Sequence, residues 1–359
     1  MPRQNASHLY VLTAAADYLE VAVGELRRVD PTLHEVGRAS EEIVVVESAL
    51  DLGEMYEALQ RQEPIFLRHI APAQLRLELM GDKEADLAEL ARETMAMPEV
   101  QAILPDDRFS VQARVVTPPG EDRPFTPYAI AQAIAPAIEE AMGATVDVRS
   151  PEIVISVLAT SEEAFVGVSP VIFNLSDWAG GERRFRREEN QISRSEFKLL
   201  EALEVFDVTL PESGRALDLG AAPGGWVRVL LDAGLLVTAV DPAELDPAIA
   251  RNKRVRQIRG YAQEWIAQAT AEGLRYDVIL SDMRMDARDA TRLMIDAASL
   301  MHLDSFALLT LKLPSPDATG MDPVAITRDA LEELRSRFRT VRARQLFHNR
   351  NEVTAYLKL

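Results

Sequence analysis

The sequence predicts a two-part α/β protein: a C-terminal Rossmann-like domain on a mixed seven-stranded sheet, preceded by an α+β region of two consecutive ferredoxin-like or related units. Three observations predict it. Beyond residue 193, short apolar runs alternate with helical segments, the pattern of a mostly parallel sheet. The first of those runs leads into a glycine-rich turn and then a helix. The last two runs are separated only by residues 348–352, a spacing that suits an antiparallel hairpin.

At 359 residues the chain exceeds one ordinary domain. The expected divisions are an α+β subdomain over 1–80, a second over 81–172, a linker over 173–192 and the Rossmann-like domain over 193–359. In the first, residues 9–15 read as a strand, 17–28 as a helix, 43–46 as a strand and 52–61 as a helix. Pro64 then leads into a strand over 65–70. In the second, 109–116 read as a strand and Pro127 opens a helix through Met142. Residues 153–158 and 164–168 form a hairpin-like strand pair. Residues 174–190 lose periodicity and carry a Gly-Gly pair and many charges, as a linker or ordered loop does. The C-terminal strands are expected at 215–219, 236–241, 255–259, 277–282, 306–313, 340–347 and 353–359.

A composition of 47% hydrophobic and 27% charged residues is that of a globular protein with a sizeable core. No apolar run is long enough for a membrane span, and residues 1–9 lack the pattern of a secretory signal. Zero cysteines exclude disulfides and thiolate chemistry, and the five histidines show no ligand-like spacing. The expectation is a cytoplasmic, metal-independent protein. The net charge of −18 opposes approach to a polyanion, but a local patch can still bind one. Two arginine groups stand out: Arg183, Arg184, Arg186 and Arg187, and Arg335, Arg337, Arg339, Arg342, Arg344 and Arg350. Each reads equally as a solvated face or as a set of phosphate contacts.

The stretch Leu217-Asp218-Leu219-Gly220-Ala221-Ala222-Pro223-Gly224-Gly225-Trp226 runs from strand through glycines to helix. Glycines there permit unusual dihedrals and close approach of a ligand to the backbone. The spacing is not the dinucleotide fingerprint G-x-G-x-x-G. Taken alone, the turn is also what any tight strand-to-helix connection needs. Asp241 closes the next strand, about twenty residues on, where an acid can accept from both hydroxyls of a ribose. With Pro242 after it, Asp241 also suits a helix N-cap. Order and context favour the ribose. Asp282 closes the fourth strand and faces the same crevice.

These residues resemble FtsJ-like ribose 2′-O-methyltransferases. With Ser193-Arg194-Ser195-Glu196-Phe197-Lys198-Leu199 and Leu311-Lys312-Leu313-Pro314, the chain looks more closely like the RlmM group, which methylates a cytidine ribose of bacterial large-subunit (23S) ribosomal RNA. The likeness covers the C-terminal half. It reaches weakly into the N-terminal half, where residues 151–157 resemble the end of that group's RNA-binding THUMP module. It implies a class I methyltransferase domain after a ferredoxin-like and a THUMP-like subdomain, S-adenosylmethionine as cofactor and RNA as partner. It also implies a cofactor pocket lined by Ser195, Gly220, Ala222, Pro223, Gly224, Gly225, Trp226, Asp241, Tyr261 and Asp282. Two departures stand out: Ala222 where a cysteine is common, and Tyr261 where an acid meets the adenine.

Lys198, Asp282, Lys312 and Glu352 match the Lys-Asp-Lys-Glu tetrad of the FtsJ-like enzymes in order and context. A ribose hydroxyl must lose its proton during attack on an electrophilic methyl, and a neutral lysine can take it. The expected roles are Lys312 as general base, its pKa lowered by the second cation and raised by the carboxylates, which fix its orientation. Lys198 and Glu352 would steer the hydroxyl, and Asp282 would position Lys312. No metal is required. The alternatives are a methyltransferase of a non-RNA substrate and a non-catalytic RNA-binding or ribosome-assembly protein on the same scaffold.

Overall fold

A computed structural model describes residues 7–118, 120–121, 123–187, 191–314 and 322–359, and every element and contact below is among these. Residues 1–6 of the N-terminal stretch and 188–190 of the expected linker lie outside the described residues. The chain divides into two compact units, Met1–Glu182 and Arg183–Leu359.

The first unit opens with β1 (His8–Thr13), α1 (Leu19–Val29), β2 (His34–Ser40), β3 (Ile43–Ser48), α2 (Leu52–Arg61) and β4 (His69–Pro72). Its antiparallel sheet has the order β2-β3-β1-β4, the ferredoxin-like arrangement. Helix α2 starts where expected because of a capping box. Asp51 accepts the Glu54 N–H, and the Glu54 carboxylate accepts the Asp51 N–H. The strand expected at 65–70 begins only at His69. The N–H groups of Ile65 and Phe66 donate instead to the buried Glu25 carboxylate, which takes the place of a sheet partner.

The unit continues through β5 (Leu75–Glu78), α3 (Lys83–Ala96), α4 (Pro98–Gln101), β6 (Arg108–Val115), α5 (Pro127–Met142), β7 (Thr145–Val146), β8 (Ile153–Ala159) and β9 (Glu163–Pro170). The sheet order is β5-β9-β8-β6-β7, with β6 parallel to both its neighbours. It is a related α+β unit, not a second ferredoxin-like copy: parallel pairing needs a crossover, and α5 supplies it. Phe109, Ile130, Ile134 and Ile138 pack its core. The segment after β9 is bound to this unit, since the Thr13 hydroxyl donates to the Gly180 carbonyl. Gly180 sits at φ +61°, and a Cβ there would strike the Arg114 side chain.

The second unit contains α6 (Glu196–Val205), β10 (Arg215–Leu219), α7 (Gly225–Asp232), β11 (Leu236–Val240), α8 (Pro247–Ala250), β12 (Val255–Ile258), α9 (Ala262–Ala271) and β13 (Tyr276–Ser281). It ends with α10 (Ala287–Ala297), β14 (Met301–Lys312), α11 (Pro323–Arg335), β15 (Thr340–Arg344) and β16 (Glu352–Lys358). All seven expected strands are present, in the order β12-β11-β10-β13-β14-β16-β15. The first five are parallel, and β16 lies antiparallel between β14 and β15. Helices flank the sheet, so its central strands are apolar on both faces, as in Leu217, Leu219, Ile279 and Leu280.

Strand β15 stops at Arg344, three residues before the expected end. Beyond it the backbone finds side chains in place of a ladder: Leu346 N–H donates to Asn349 and Phe347 N–H to Glu201. The strand order reverses between β10 and β13, which places a crevice at their carboxyl ends. Because β16 runs antiparallel, its first residue, Glu352, arrives at that same end of the sheet. Topology alone thus brings together the glycine turn, Asp241, Asp282, Lys312 and Glu352. Among the described residues no helix is long and apolar enough to cross a membrane.

Candidate functional site

Helix α6 is tied to the sheet from its first turn. Glu196 is fully buried; one carboxylate oxygen accepts the N–H groups of Ile192 and Ser193, and the other accepts from Arg228 on α7. This holds Ser195 against the glycine turn, with the Ser193 and Ser195 hydroxyls 2.6 Å apart. Trp226 departs from its expected place in the pocket lining. It is 4% exposed, and its indole N–H donates to the Ser195 carbonyl at 2.7 Å, so it braces the turn from behind.

The turn needs its glycines for conformation and for space. Gly220 (φ +81°) and Gly224 (φ +114°) lie in the left-handed region. A Cβ on Gly225 would meet the Ser193 hydroxyl at 2.3 Å, so packing of the serines excludes any larger residue. Ala222 N–H donates to one Asp241 carboxylate oxygen at 3.1 Å, and Ala243 N–H to the other at 2.7 Å. Asp241 therefore fastens the turn to the end of β11 while each oxygen keeps a lone pair for a hydroxyl donor. Its contact to Ala243 is of the capping kind, but the helix that follows, α8, is capped by Asp246. Pro223 joins Ala222 to Gly224 within the same turn, and Asp246 N–H donates to its carbonyl. Tyr261 precedes α9 with 62% of its surface exposed, a free aromatic face.

Asp218, on β10 directly before the turn, is a residue the sequence reading passed over although it stands in the quoted motif. It is 2% exposed, and one carboxylate oxygen has no hydrogen-bond partner. Burial, aided by the charges of Asp282 and Asp241, pushes its pKa up to about 8.

The four charged residues meet in a ring. Lys312 closes β14 and Glu352 opens β16, and the two are direct register partners. Lys312 Nζ donates to Glu352 Oε1 at 2.8 Å and to Asp282. Lys198 Nζ lies 2.5 Å from the other oxygen of Glu352 and 3.4 Å from the other oxygen of Asp282. Each lysine thus bridges both carboxylates, and each carboxylate bridges both lysines. The side chains are 16–21% exposed, open enough for a hydroxyl to reach them. Asn349, which the sequence reading missed, is buried beside the ring and donates to Glu352 Oε2 at 3.4 Å.

The ring changes the expected state of Lys312. Burial pulls its pKa down and is the largest single influence. The carboxylates of Asp282 and Glu352 together outweigh it and hold the ammonium above its ordinary 10.5. Burial likewise pushes Glu352 up, and the two lysines more than reverse that. The expected lowering of Lys312 by a second cation is overturned, because the carboxylates stand between the two lysines. At rest Lys312 is held as an ammonium group and Glu352 as a carboxylate.

Of the ten arginines that could hold phosphates, three are partly or fully withdrawn from the surface. Arg183 pairs with Glu204 and lies over the Phe185 ring at 4.0 Å. Arg344 is 5% exposed and Arg342 packs over Phe206, since both point inward on β15. Arg184, Arg186, Arg187, Arg335, Arg337, Arg339 and Arg350 remain exposed.

The sheet of the second unit has the order and mixed sense of a Rossmann-like domain. Residues 191–352 match the FtsJ-like methyltransferase family, and residues 84–169 match the THUMP domain. The chain is 33% identical over 204 residues to Ribosomal RNA large subunit methyltransferase M of Halorhodospira halophila, covering 55% of each chain. It is 32% identical over 212 residues to the protein of that name from Marinobacter nauticus, again covering 55% of each. With that of Thauera aminoaromatica it shares 28% over 321 residues, 86% of this chain and 82% of the other. The chain thus spans 55% of the length of the first two relatives. Among solved structures it is similar to TrmN from Thermus thermophilus, at 20% identity and TM-score 0.40, over 98% of this chain and 100% of that one. The protein carries an FtsJ-like methyltransferase domain and, before it, a THUMP domain.

Such a domain implies S-adenosylmethionine, and the residues fit it. A left-handed glycine turn, the half-engaged Asp241 carboxylate, an orphaned buried oxygen on Asp218 and an exposed tyrosine ring lie around one crevice.

Proposed function

We propose that this chain is an S-adenosylmethionine-dependent ribose 2′-O-methyltransferase of RNA, acting in the cytoplasm on a cytidine of large-subunit ribosomal RNA. The observation that carries the reading is the closed ring of Lys198, Asp282, Lys312 and Glu352 beside the glycine turn. The names of the relatives supply the ribosomal substrate, and the THUMP domain supports RNA as the partner.

Asp241 would hold the ribose of the cofactor, the 220–225 turn its amino-acid end, and Tyr261 a face of its adenine. When bound, S-adenosylmethionine supplies an electrophilic methyl group. The chain's own task is then to align a ribose hydroxyl and remove its proton. Lys312 is the acceptor of that proton, and it can accept only from the neutral state. With its pKa raised by Asp282 and Glu352, Lys312 is held mostly as the ammonium near neutral pH. Asp282 and Glu352 fix its direction, and Lys198 offsets their charge so that the ring stays electrically balanced.

The test is transfer of labelled methyl from S-adenosylmethionine to ribosomal RNA, with protein as control acceptor. Label in a 2′-O-methylcytidine of the large-subunit RNA is the expected result. Label in protein, or in a base, overturns the reading.

A further inference from the structure

Four cations gather at the end of the second unit's sheet opposite the ring. Arg215 at the start of β10, Lys253 and Arg254 just before β12, and Arg256 within it line one groove of about 290 Å³. All four are exposed. Among the described residues none of them takes part in an ion pair. Some exposed arginines of this acidic chain are paired, as Arg38 is with Glu35, Arg92 with Glu89 and Arg259 with Glu244. Asp277, beside Arg215, is turned to that residue's backbone N–H at 2.8 Å. Arg256 lies over the Trp265 ring at 4.7 Å, which holds its planar fork in place.

Four unmatched cations in one groove repel one another, and a chain of charge −18 has carboxylates enough to pair them. What relieves that repulsion is a ligand with several closely spaced negative charges. The five residues of β10 separate the groove from the glycine turn by roughly 17 Å. That is about two Debye lengths at physiological salt, so the groove acts on its own stretch of ligand and not on the reacting ribose. Phosphates of a polynucleotide match a groove with cations along its rims, and arginine forks suit them.

We propose that this groove binds the sugar–phosphate backbone of a second segment of the RNA substrate, distant from the acceptor ribose. The proposal rests on the reading of the chain as an RNA methyltransferase. It gives a protein of strongly negative charge a means of selecting folded RNA: two backbone segments must lie at opposite ends of one sheet.

The experiment uses the full chain with Arg215→Gln, Lys253→Gln, Arg254→Gln and Arg256→Gln combined, all exposed positions. The probes are transcribed large-subunit ribosomal RNA and a short oligonucleotide carrying the same acceptor site. For the long RNA, the variant is expected to bind at least about tenfold more weakly, with a slope of log K against log salt shallower by about 3. Affinity for the oligonucleotide, affinity for S-adenosylmethionine and kcat at saturating RNA stay unchanged. Unchanged long-RNA affinity and salt slope, with a wild type that methylates that RNA, overturn the groove and leave the activity standing. A wild type that transfers no methyl to either RNA overturns the proposed function, and the groove with it.

Discussion

Lys312 and Glu352 face each other as register partners across the antiparallel β14–β16 ladder, their charged atoms 2.8 Å apart. Sheet geometry therefore imposes this pair: successive side chains alternate faces, and a one-residue slip would separate them. Asp282 approaches from the end of the neighbouring parallel strand, and Lys198 from α6.

The first prediction concerns pH. A base held above its ordinary 10.5 becomes competent only as the solution turns alkaline. The logarithm of single-turnover methyl transfer should rise with unit slope from neutral pH, with no plateau near neutrality. A plateau near pH 7 would show that Lys312 is already neutral there and that the ring's carboxylates do not govern it.

Lys312→Ala removes the proton acceptor and leaves the glycine turn untouched. Methyl transfer should fall by a factor on the order of 10²–10⁴. Calorimetry should find S-adenosylmethionine affinity within a few-fold of the unaltered protein. Full activity in this variant removes Lys312 from the mechanism.

Asp241→Ala removes an acceptor for the cofactor ribose and also releases the N–H groups of Ala222 and Ala243. Losing a charged hydrogen bond costs about 1.5–3 kcal/mol, or roughly ten- to a hundredfold in affinity. Isothermal titration with S-adenosylmethionine measures it directly. Equal affinity in the two proteins would refute the ribose assignment.

Asp218→Asn should change how stability depends on pH. In the unfolded chain this carboxyl ionises near 3.8, whereas in the fold it keeps its proton to about 8. Between those values the folded state binds more protons, so the unaltered protein loses stability as pH rises and levels off above about 8. The amide carries no such penalty. Urea midpoints followed from pH 5 to about pH 9 should diverge in the variant's favour as pH rises. Parallel curves would mean that Asp218 is already ionised in the fold.

Periodicity carried much of this fold, because buried parallel strands are short apolar runs and their order along the chain is simple. Residues 215–219 and 52–61 were legible to the residue. The tetrad and Asp241 were legible because each stands at a strand or helix end, where topology brings distant residues together. Other features were hidden by their nature. The late start of β4 depends on Glu25, forty residues away, capturing the Ile65 N–H. The protonated state of Lys312 depends on which charge stands between which, and a linear order of residues does not contain that. Trp226 resembled a pocket residue because it follows the glycines, yet the first turn of α7 points it into the core. The basic groove escaped notice because Arg215 is separated from Lys253 by two helices and a strand.

Strand β16 sits inside the sheet, with β14 on one side and β15 on the other, and it brings Glu352 to the ring. The chain must therefore make β15 before the strand that will separate it from β14. Without β16 the ring would lack Glu352 and keep Asp282 as its one carboxylate, and the residues joined span 154 positions from Lys198 to Glu352. Such distant pairings form late, since loop closure must come before the contacts that stabilise it. Catalytic competence is for this reason an indicator of completed folding: a population arrested one strand short would retain the glycine turn and α7 but would not transfer a methyl group.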